Sequence, residues 1–216
     1  MSQLSNVLVI ETDPNSAVAE SYRSLRTSIR HKRLGKPGKG IALMIASPKA
    51  QEGKTTTVSN LAVTFSQDGQ KVIVIDCNLR QPTLHAVYGM PNDDGLAHDG
   101  LTQYLKSDST SQGITSKAVL PNLHLITAGG QPPNPSELLG SPRMAELLDQ
   151  LKQQYDVVLL DSPSILDFTD AGLLAEYSDG IILVAKYGRT KREWAKQAKE
   201  RLEQSGARLL GMIINK

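Results

Sequence analysis

Cysteine is close to absent from this chain: Cys77 is the only one in 216 residues. A lone thiol cannot close an intrachain disulfide, and such usage fits a reducing cytoplasm. No apolar run approaches the roughly 20 residues that a membrane-spanning helix needs. The opening MSQLSNVLVIETD lacks both a basic n-region and a long apolar core, so no signal peptide is expected. Charge of one sign is also lacking. The formal net charge is +2, which argues against a nucleic-acid surface that works by bulk electrostatics. His31, His85, His98 and His124 are scattered without metal-ligand spacing, and no Ser/His/Asp set has usable context. These absences leave a soluble intracellular protein as the baseline.

What is present is enough for one α/β domain. The composition is 39% hydrophobic and 21% charged, which indicates neither disorder nor a membrane protein. The organising stretch is Ile41–Thr56, IALMIASPKAQEGKTT. Its apolar start, Ile41–Ala46, reads as a buried strand, and Gly53-Lys54-Thr55-Thr56 opens a helical pattern through Asn60, Leu61 and Phe65. A strand turning tightly into a helix offers backbone N–H groups and the positive end of the helix dipole to an anion. Lys54 adds a point charge for β/γ-phosphates, and the Thr55 hydroxyl suits Mg²⁺. The pattern GxxxxGK[ST] wants Gly where Pro48 stands, so only its second half is intact.

Before that loop, Asn6–Ile10 reads as a possible edge strand. Asp13-Pro14 reads as a helix start, with an N-cap acceptor followed by Pro. Val18, Tyr22, Leu25 and Ile29 recur on one helical face, and Glu20, Arg23 and Arg26 fall off it, as a salt-bridged solvated side or a contact with another subunit. His31–Gly40 reads as a basic linker.

After the loop, Lys71–Asp76 (KVIVID) reads as a central parallel strand ending in Asp76-Cys77-Asn78-Leu79-Arg80. Ligands of open α/β sheets sit at the carboxyl ends of strands, which puts Asp76 near the phosphates. Gly89–Ser116 reads as a polar surface segment with one short helix near Leu101–Leu105, and Asp93-Asp94 as solvated. Leu123–Thr127 is a strand, and Gln131–Leu139 (QPPNPSELL) a rigid turn into a helix with Ser136 as cap. Asp156–Asp161 (DVVLLD) is a second buried strand ending in a carboxylate, the acid expected beside Mg²⁺. Helix Thr169–Tyr177, strand Gly180–Ala185, helix Thr190–Gln204 and strand Leu209–Ile214 complete the alternation. The last helix is basic with interleaved glutamates, which reads as a solvated face.

A GKTT loop, a strand ending DCNLR and a strand ending DSP, in that order, resemble the Walker A, Walker A′ and Walker B motifs of the bacterial tyrosine kinases of capsule and exopolysaccharide systems. The resemblance extends to Glu20-x-x-Arg23-x-x-Arg26, Arg80-x-Pro82 and PPNPSELL at Pro132–Leu139. It implies a doubly wound, mostly parallel α/β sheet of P-loop NTPase type with an N-terminal helix outside the core. Residues 1–40 would serve self-association through Glu20, Arg23 and Arg26, and residues 41–216 would form the kinase domain. ATP and Mg²⁺ would be the cofactors. The nucleotide would lie on Lys49, Ala50, Gln51, Glu52, Gly53, Lys54, Thr55 and Thr56, with Asn215 at the adenine. Thr55, Asp76, Asn78 and Asp161 would serve the metal, and Asp76, Lys54 and Arg80 the transfer, with Asp76 as candidate base. The implied partners are tyrosine-bearing proteins, further copies of the chain and a membrane adaptor of the polysaccharide co-polymerase type. Through that adaptor a cytoplasmic protein would lie peripheral to the inner face of the plasma membrane.

Two features depart from the family pattern. Asn78 stands where the family carries a second Asp, which removes a negative charge. The sequence ends at Lys216 without the usual tyrosine-rich tail, and its six tyrosines are dispersed, none marked as a site. Lys49 leaves room for a dimerising ATPase of the ParA/MinD type, although Ala50-Gln51 stands where those proteins have two glycines. Asn78 and the missing tail also allow a weakened nucleotide-binding scaffold.

Overall fold

The computed structural model describes residues 7–32, 34–90, 100–106 and 116–216. Asp93, Asp94 and His98 lie outside them. Seven strands form one sheet in the order β3-β4-β2-β5-β1-β6-β7. They are β1 (Ile41–Ala46), β2 (Val72–Asp76), β3 (Lys117–Leu120), β4 (Leu123–Ile126), β5 (Val157–Asp161), β6 (Gly180–Lys186) and β7 (Leu209–Asn215). All neighbours are parallel except β3, which runs antiparallel to β4 at one edge.

The continuous apolar runs are explained by burial on both faces. Side chains alternate across a strand. Thus Ala42, Met44 and Ala46 face one core, with Ile73, Ile75, Val158 and Leu160. Leu43 and Ile45 face the other, with Val72, Val74, Val157 and Leu159. The first core is closed by α5 (Leu101–Lys106), α6 (Pro135–Leu139), α7 (Pro142–Gln154), α8 (Asp170–Glu176) and α9 (Arg192–Gln204). The second is closed by α1 (Val9–Thr12), α2 (Ala17–Arg30), α3 (Lys54–Gln67) and α4 (Leu84–Val87). The expected doubly wound sheet is present. β3, α4 and α7 are additions to the expected elements.

Helix α3 is buried from Thr57 to Ser66. Two of its buried polar side chains bond locally: Thr64 Oγ1 donates to the Leu61 carbonyl at 2.7 Å and Ser66 Oγ to Val63 at 3.0 Å. Asn60 does more. Its Oδ1 accepts the Ile10 N–H at 3.2 Å and its Nδ2 donates to the Val7 carbonyl at 2.7 Å. This corrects the expected strand at Asn6–Ile10. The described part of that segment is a turn leading into α1, because a side chain of α3 supplies backbone partners that a neighbouring strand would otherwise give. Leu8 and Ile10 are both buried against α3 as a result.

Helix α2 lies outside the sheet, against α3. Its start is corrected from Asp13-Pro14 to Ser16, whose hydroxyl accepts the Ala19 N–H at 3.1 Å. Asp13 instead ends α1, since the chain must turn between the two helices. The packed face is also shifted. Val18 is 52% exposed, whereas Ala19 and Ile29 are buried. Arg26 belongs to the packed side, donating to the Thr64 carbonyl at 2.7 Å and reaching Asp68 at 3.6 Å. A third correction concerns α6: Asn134 is its N-cap residue, and Ser136 lies inside the helix with its hydroxyl turned to Asp170.

Replacing Asn60 by Ala removes both backbone partners of the N-terminal segment, at a cost of about 2 kcal/mol. Urea denaturation should show a lower midpoint, and hydrogen exchange at the Ile10 amide should accelerate ahead of the sheet. Unchanged exchange at Ile10 would show that burial alone holds α1 in place.

Candidate functional site

At the carboxyl ends of β1, β2 and β5 a cleft of about 540 Å³ opens beside the start of α3, within the size range of small-ligand sites. Ala50, Gln51, Gly53, Lys54, Thr55, Thr56, Asn78, Arg80 and Asn215 line it, together with Gln81, Thr83, Pro163, Ser164, Asp167, Phe168 and Lys186. Glu52, Asp76 and Asp161 are buried behind this lining, and Lys49 is partly exposed beside it.

The loop between β1 and α3 owes its shape to two left-handed residues, Gln51 (φ 60°) and Gly53 (φ 96°). Gly53 is required for space as well, since a Cβ there would lie 2.0 Å from Asn215 Nδ2. Pro48 is tolerated because the backbone there presents its carbonyl, which accepts the Leu166 N–H at 3.1 Å. As Gly53 opens the helix, the N–H groups of Lys54, Thr55 and Thr56 have no carbonyl in their own helix to meet. Glu52 is 1% exposed and braces the loop from within. It accepts the Lys49 N–H at 2.9 Å and the Thr190 hydroxyl at 2.5 Å. Lys49 Nζ meets Asp167 at 2.5 Å in the same chain.

Below the loop, β2 and β5 end with Asp76 and Asp161 opposite one another in register. Both are 1% exposed. Asp76 accepts the N–H groups of Asn78, Thr83 and Leu84, each at 3.1 Å. Asp161 Oδ2 accepts the Thr55 hydroxyl at 2.6 Å, while its Oδ1 is buried without a partner among the described residues. Burial first, and the facing Asp161 second, push the Asp76 carboxyl up to about 8. Burial likewise raises Asp161 to about 6, against the opposing pull of the Thr55 hydroxyl and of Lys54. Lys54 Nζ donates to Ser47 Oγ at 2.9 Å, and burial lowers its pKa despite Asp161 and Glu52 nearby.

The orphaned Asp161 oxygen beside a hydroxyl and a second carboxylate is the chemistry that a hard divalent cation satisfies. No cluster of three His, Cys, Asp or Glu exists among the described residues. A cation here would therefore draw part of its shell from water and phosphate oxygens, as Mg²⁺ commonly does.

Asn78 does not reach toward Asp161. Its Nδ2 donates to the Gln81 carbonyl at 2.8 Å and its Oδ1 accepts the Gln81 N–H at 3.3 Å, closing the turn after β2. Arg80 is clamped rather than free. Its Nε and one Nη donate to Asp170 at 2.8 and 3.1 Å, Ser136 lies at 3.2 Å, and the guanidinium stacks 4.2 Å from the Phe168 ring centre. Asn215 Nδ2 approaches the Glu52 carbonyl at 3.5 Å. Sequence reasoning missed Ser47, Thr83, Asp167, Asp170 and the side-chain role of Ser136. For Asp170 the available signal was an acid opening a helix shortly after DSP.

A model of the AAA domain matches residues 40–197. Over 214 residues the chain is 38% identical to the tyrosine-protein kinase YwqD of Bacillus subtilis, covering 99% of this chain and 87% of that protein. The chain belongs to the bacterial tyrosine-protein kinases. The kinase domain of the Escherichia coli tyrosine kinase Etk superposes with a TM-score of 0.86 at 31% identity, over 96% of this chain and 79% of that one. By contrast, the septum site-determining protein MinD of Pyrococcus horikoshii, solved with Mg-ADP, reaches a TM-score of 0.62 at 24% identity, over 82% and 70% of the two chains. That likeness is of fold alone, and the dimerising-ATPase reading falls behind the kinase.

Because burial raises the Asp76 pKa, the folded kinase binds protons that the unfolded chain has released above the ordinary carboxylate range near 4. Without a cation, stability should therefore fall as pH rises from about 4 toward about 8. Asp76→Asn should flatten that slope in thermal unfolding. An unchanged slope would show that Asp76 is not the group responsible.

Proposed function

We propose that this kinase transfers the γ-phosphoryl group of Mg·ATP to tyrosine hydroxyls of proteins that govern capsule or exopolysaccharide synthesis and export. The observation that carries the reading is the buried Asp76–Asp161 pair, with a partnerless Asp161 oxygen, set beneath a phosphate loop that ends in Lys54-Thr55. Phosphoryl transfer needs in-line positioning and charge neutralisation more than covalent help from the protein. The amides of the loop and Lys54 cradle the β/γ-phosphates. Thr55 and Asp161 would hold Mg²⁺, with Asp76 and Asn78 beside them. When bound, the cation neutralises charge that develops on the phosphates.

Asp76 serves as the base for a tyrosine hydroxyl whose ordinary pKa is near 10, held in place by the three backbone N–H groups it accepts. Arg80 acts as a positioning residue, joining the loop after β2 to α6 and α8 through Ser136 and Asp170. Lys49 and Glu52 hold the phosphate loop in shape, and Asn215 serves the adenine end.

Residues 1–40 form a self-association segment attached to a kinase domain at 41–216. Glu20, 67% exposed at its side chain, and Arg23 are paired at 3.2 Å on the outer side of α2 and provide the contact surface. Arg26 supports that surface by fixing α2 to α3. No helix among the described residues is long and apolar enough to cross a membrane. The membrane connection in this proposal therefore runs through an adaptor of the polysaccharide co-polymerase type, at the inner face of the plasma membrane.

Incubation with Mg²⁺, labelled ATP, a tyrosine substrate and an adaptor-tail peptide tests the proposal. Phosphotyrosine should form and fall by at least about a hundredfold in Lys54→Ala, as for loss of a major charge-stabilising group. Nucleotide binding without phosphotyrosine under every condition would favour the scaffold reading.

Asn78→Asp separates metal charge from turn geometry. The acid keeps the acceptor for Gln81 but loses the donor, so the metal-free protein should lose about 1 kcal/mol. Half-maximal transfer should nevertheless need several-fold less Mg²⁺. An Mg²⁺ titration identical to that of the native chain would mean that residue 78 lies beyond the influence of the cation.

A further inference from the structure

The chain reads as a tyrosine kinase with six dispersed tyrosines, and the structure separates one from the other five. Tyr88 is 3% exposed. The Tyr155 hydroxyl bonds His124 at 2.8 Å, and that of Tyr177 bonds the Gly140 carbonyl at 3.3 Å. Tyr104 lies under the Arg143 guanidinium, 4.4 Å from its ring centre, and Tyr22 is half-buried against Thr57. Tyr187 is 73% exposed.

Its surroundings are those of an acceptor. Tyr187 leaves the carboxyl end of β6, the end where the cleft opens, next to the cleft residue Lys186. It occupies a tight turn, closed by the Arg189 and Thr190 N–H groups on the Lys186 carbonyl at 3.2 and 2.9 Å. Its own N–H is fixed on the Asn215 carbonyl at 2.7 Å. A side chain presented on such a turn can enter a cleft in another molecule without unfolding a helix or strand. It does not line the cleft of its own chain. Lys186, Arg189 and Lys191 flank it in sequence, and cations near a phosphorylated side chain stabilise the dianion.

We infer that Tyr187 is a phosphorylation site of this protein, modified in trans by a second copy. This rests on the kinase reading above. The Tyr187 oxygen bonds to the γ-phosphorus of ATP held by the acting copy. The bond from that phosphorus to the β–γ bridging oxygen breaks, ADP leaves with the electron pair, and the hydroxyl proton passes to a carboxylate of the acting site. The turn also bears on the phosphate loop, because Arg189 contacts the Gln51 side chain at 3.4 Å and Thr190 bonds Glu52 at 2.5 Å. A dianion on Tyr187 competes with Gln51 for Arg189, so the modification reports directly to the nucleotide site.

The test mixes the native chain with an isotopically labelled Lys54→Ala copy, Mg·ATP and a tyrosine substrate, and maps phosphate on the labelled copy by peptide mass spectrometry. Tyr187 should carry more phosphate than the other five tyrosines together. Adding Tyr187→Phe to the labelled copy should remove that signal while the native chain phosphorylates the substrate as before. Phosphate elsewhere on the labelled copy with Tyr187 unmodified, or on the substrate alone, overturns the inference and leaves the kinase reading standing. No phosphotyrosine on any component overturns both. A second readout needs no nucleotide: brief nitration with tetranitromethane should modify Tyr187 first. Faster nitration of any other tyrosine removes the accessibility on which the inference stands.

Discussion

Two carboxylates buried side by side set the terms for everything around them. Asp76 and Asp161 end adjacent central strands, in register and 1% exposed. Burying charge in a poorly polarisable interior is costly unless partners are supplied. The fold supplies some of them: three backbone N–H groups to Asp76, and the Thr55 hydroxyl to Asp161. It withholds one, at Asp161 Oδ1. Both acids are pushed toward their protonated forms, so the pair favours positive charge beside it. A cation received there would complete a structure rather than create one.

That arrangement works only if the loops above it stay in place, and each is fixed by charge in a partly or wholly buried setting. Glu52 ties the phosphate loop to Thr190 after β6, and Lys49 ties it to Asp167 after β5. Arg80 ties the turn after β2 to Asp170, whose side chain is fully buried. A two-pronged guanidinium–carboxylate pair fixes direction as well as distance. A lysine at position 80 would keep the charge and lose the fork. The DCNLR and PPNPSELL stretches, far apart in sequence, thus meet in one clamp. Ser136 donates to Asp170 at 2.5 Å while Arg80 holds the same carboxylate.

Strands were the most legible part of the sequence. Central parallel strands are apolar on both faces, so IALMIA, VIVID and VVLLD announce themselves, and the acids that end the latter two mark the ligand side. The phosphate loop was legible from GKTT even with Pro48 in place of Gly, because the backbone at that point is used through its carbonyl. What failed did so where a side chain took over a backbone's task. Asn60 satisfies the segment around Ile10, which then has no need to be a strand. Ser16 rather than Asp13 caps α2, a choice decided by the turn after α1. Arg26, charged and expected on the outside, lies along α3 because its stem can be covered while its head reaches the Thr64 carbonyl. β3 is four residues long, too short to show a period. The exposure of Tyr187 was not legible at all, since burial of a dispersed aromatic depends on the whole fold.

Asn78 shows how one residue can answer two demands. A third carboxylate beside Asp76 and Asp161 would add negative charge to a site already holding two reluctant anions, and like charges in a buried setting raise one another's pKa. The amide avoids that cost and closes the turn after β2 with both ends of its side chain, a geometry that a carboxylate cannot reproduce because it has no donor for the Gln81 carbonyl. The same turn carries Arg80 into its clamp. At position 78 the amide thus leaves the charge beside the two acids unchanged and fixes the turn that leads into Arg80.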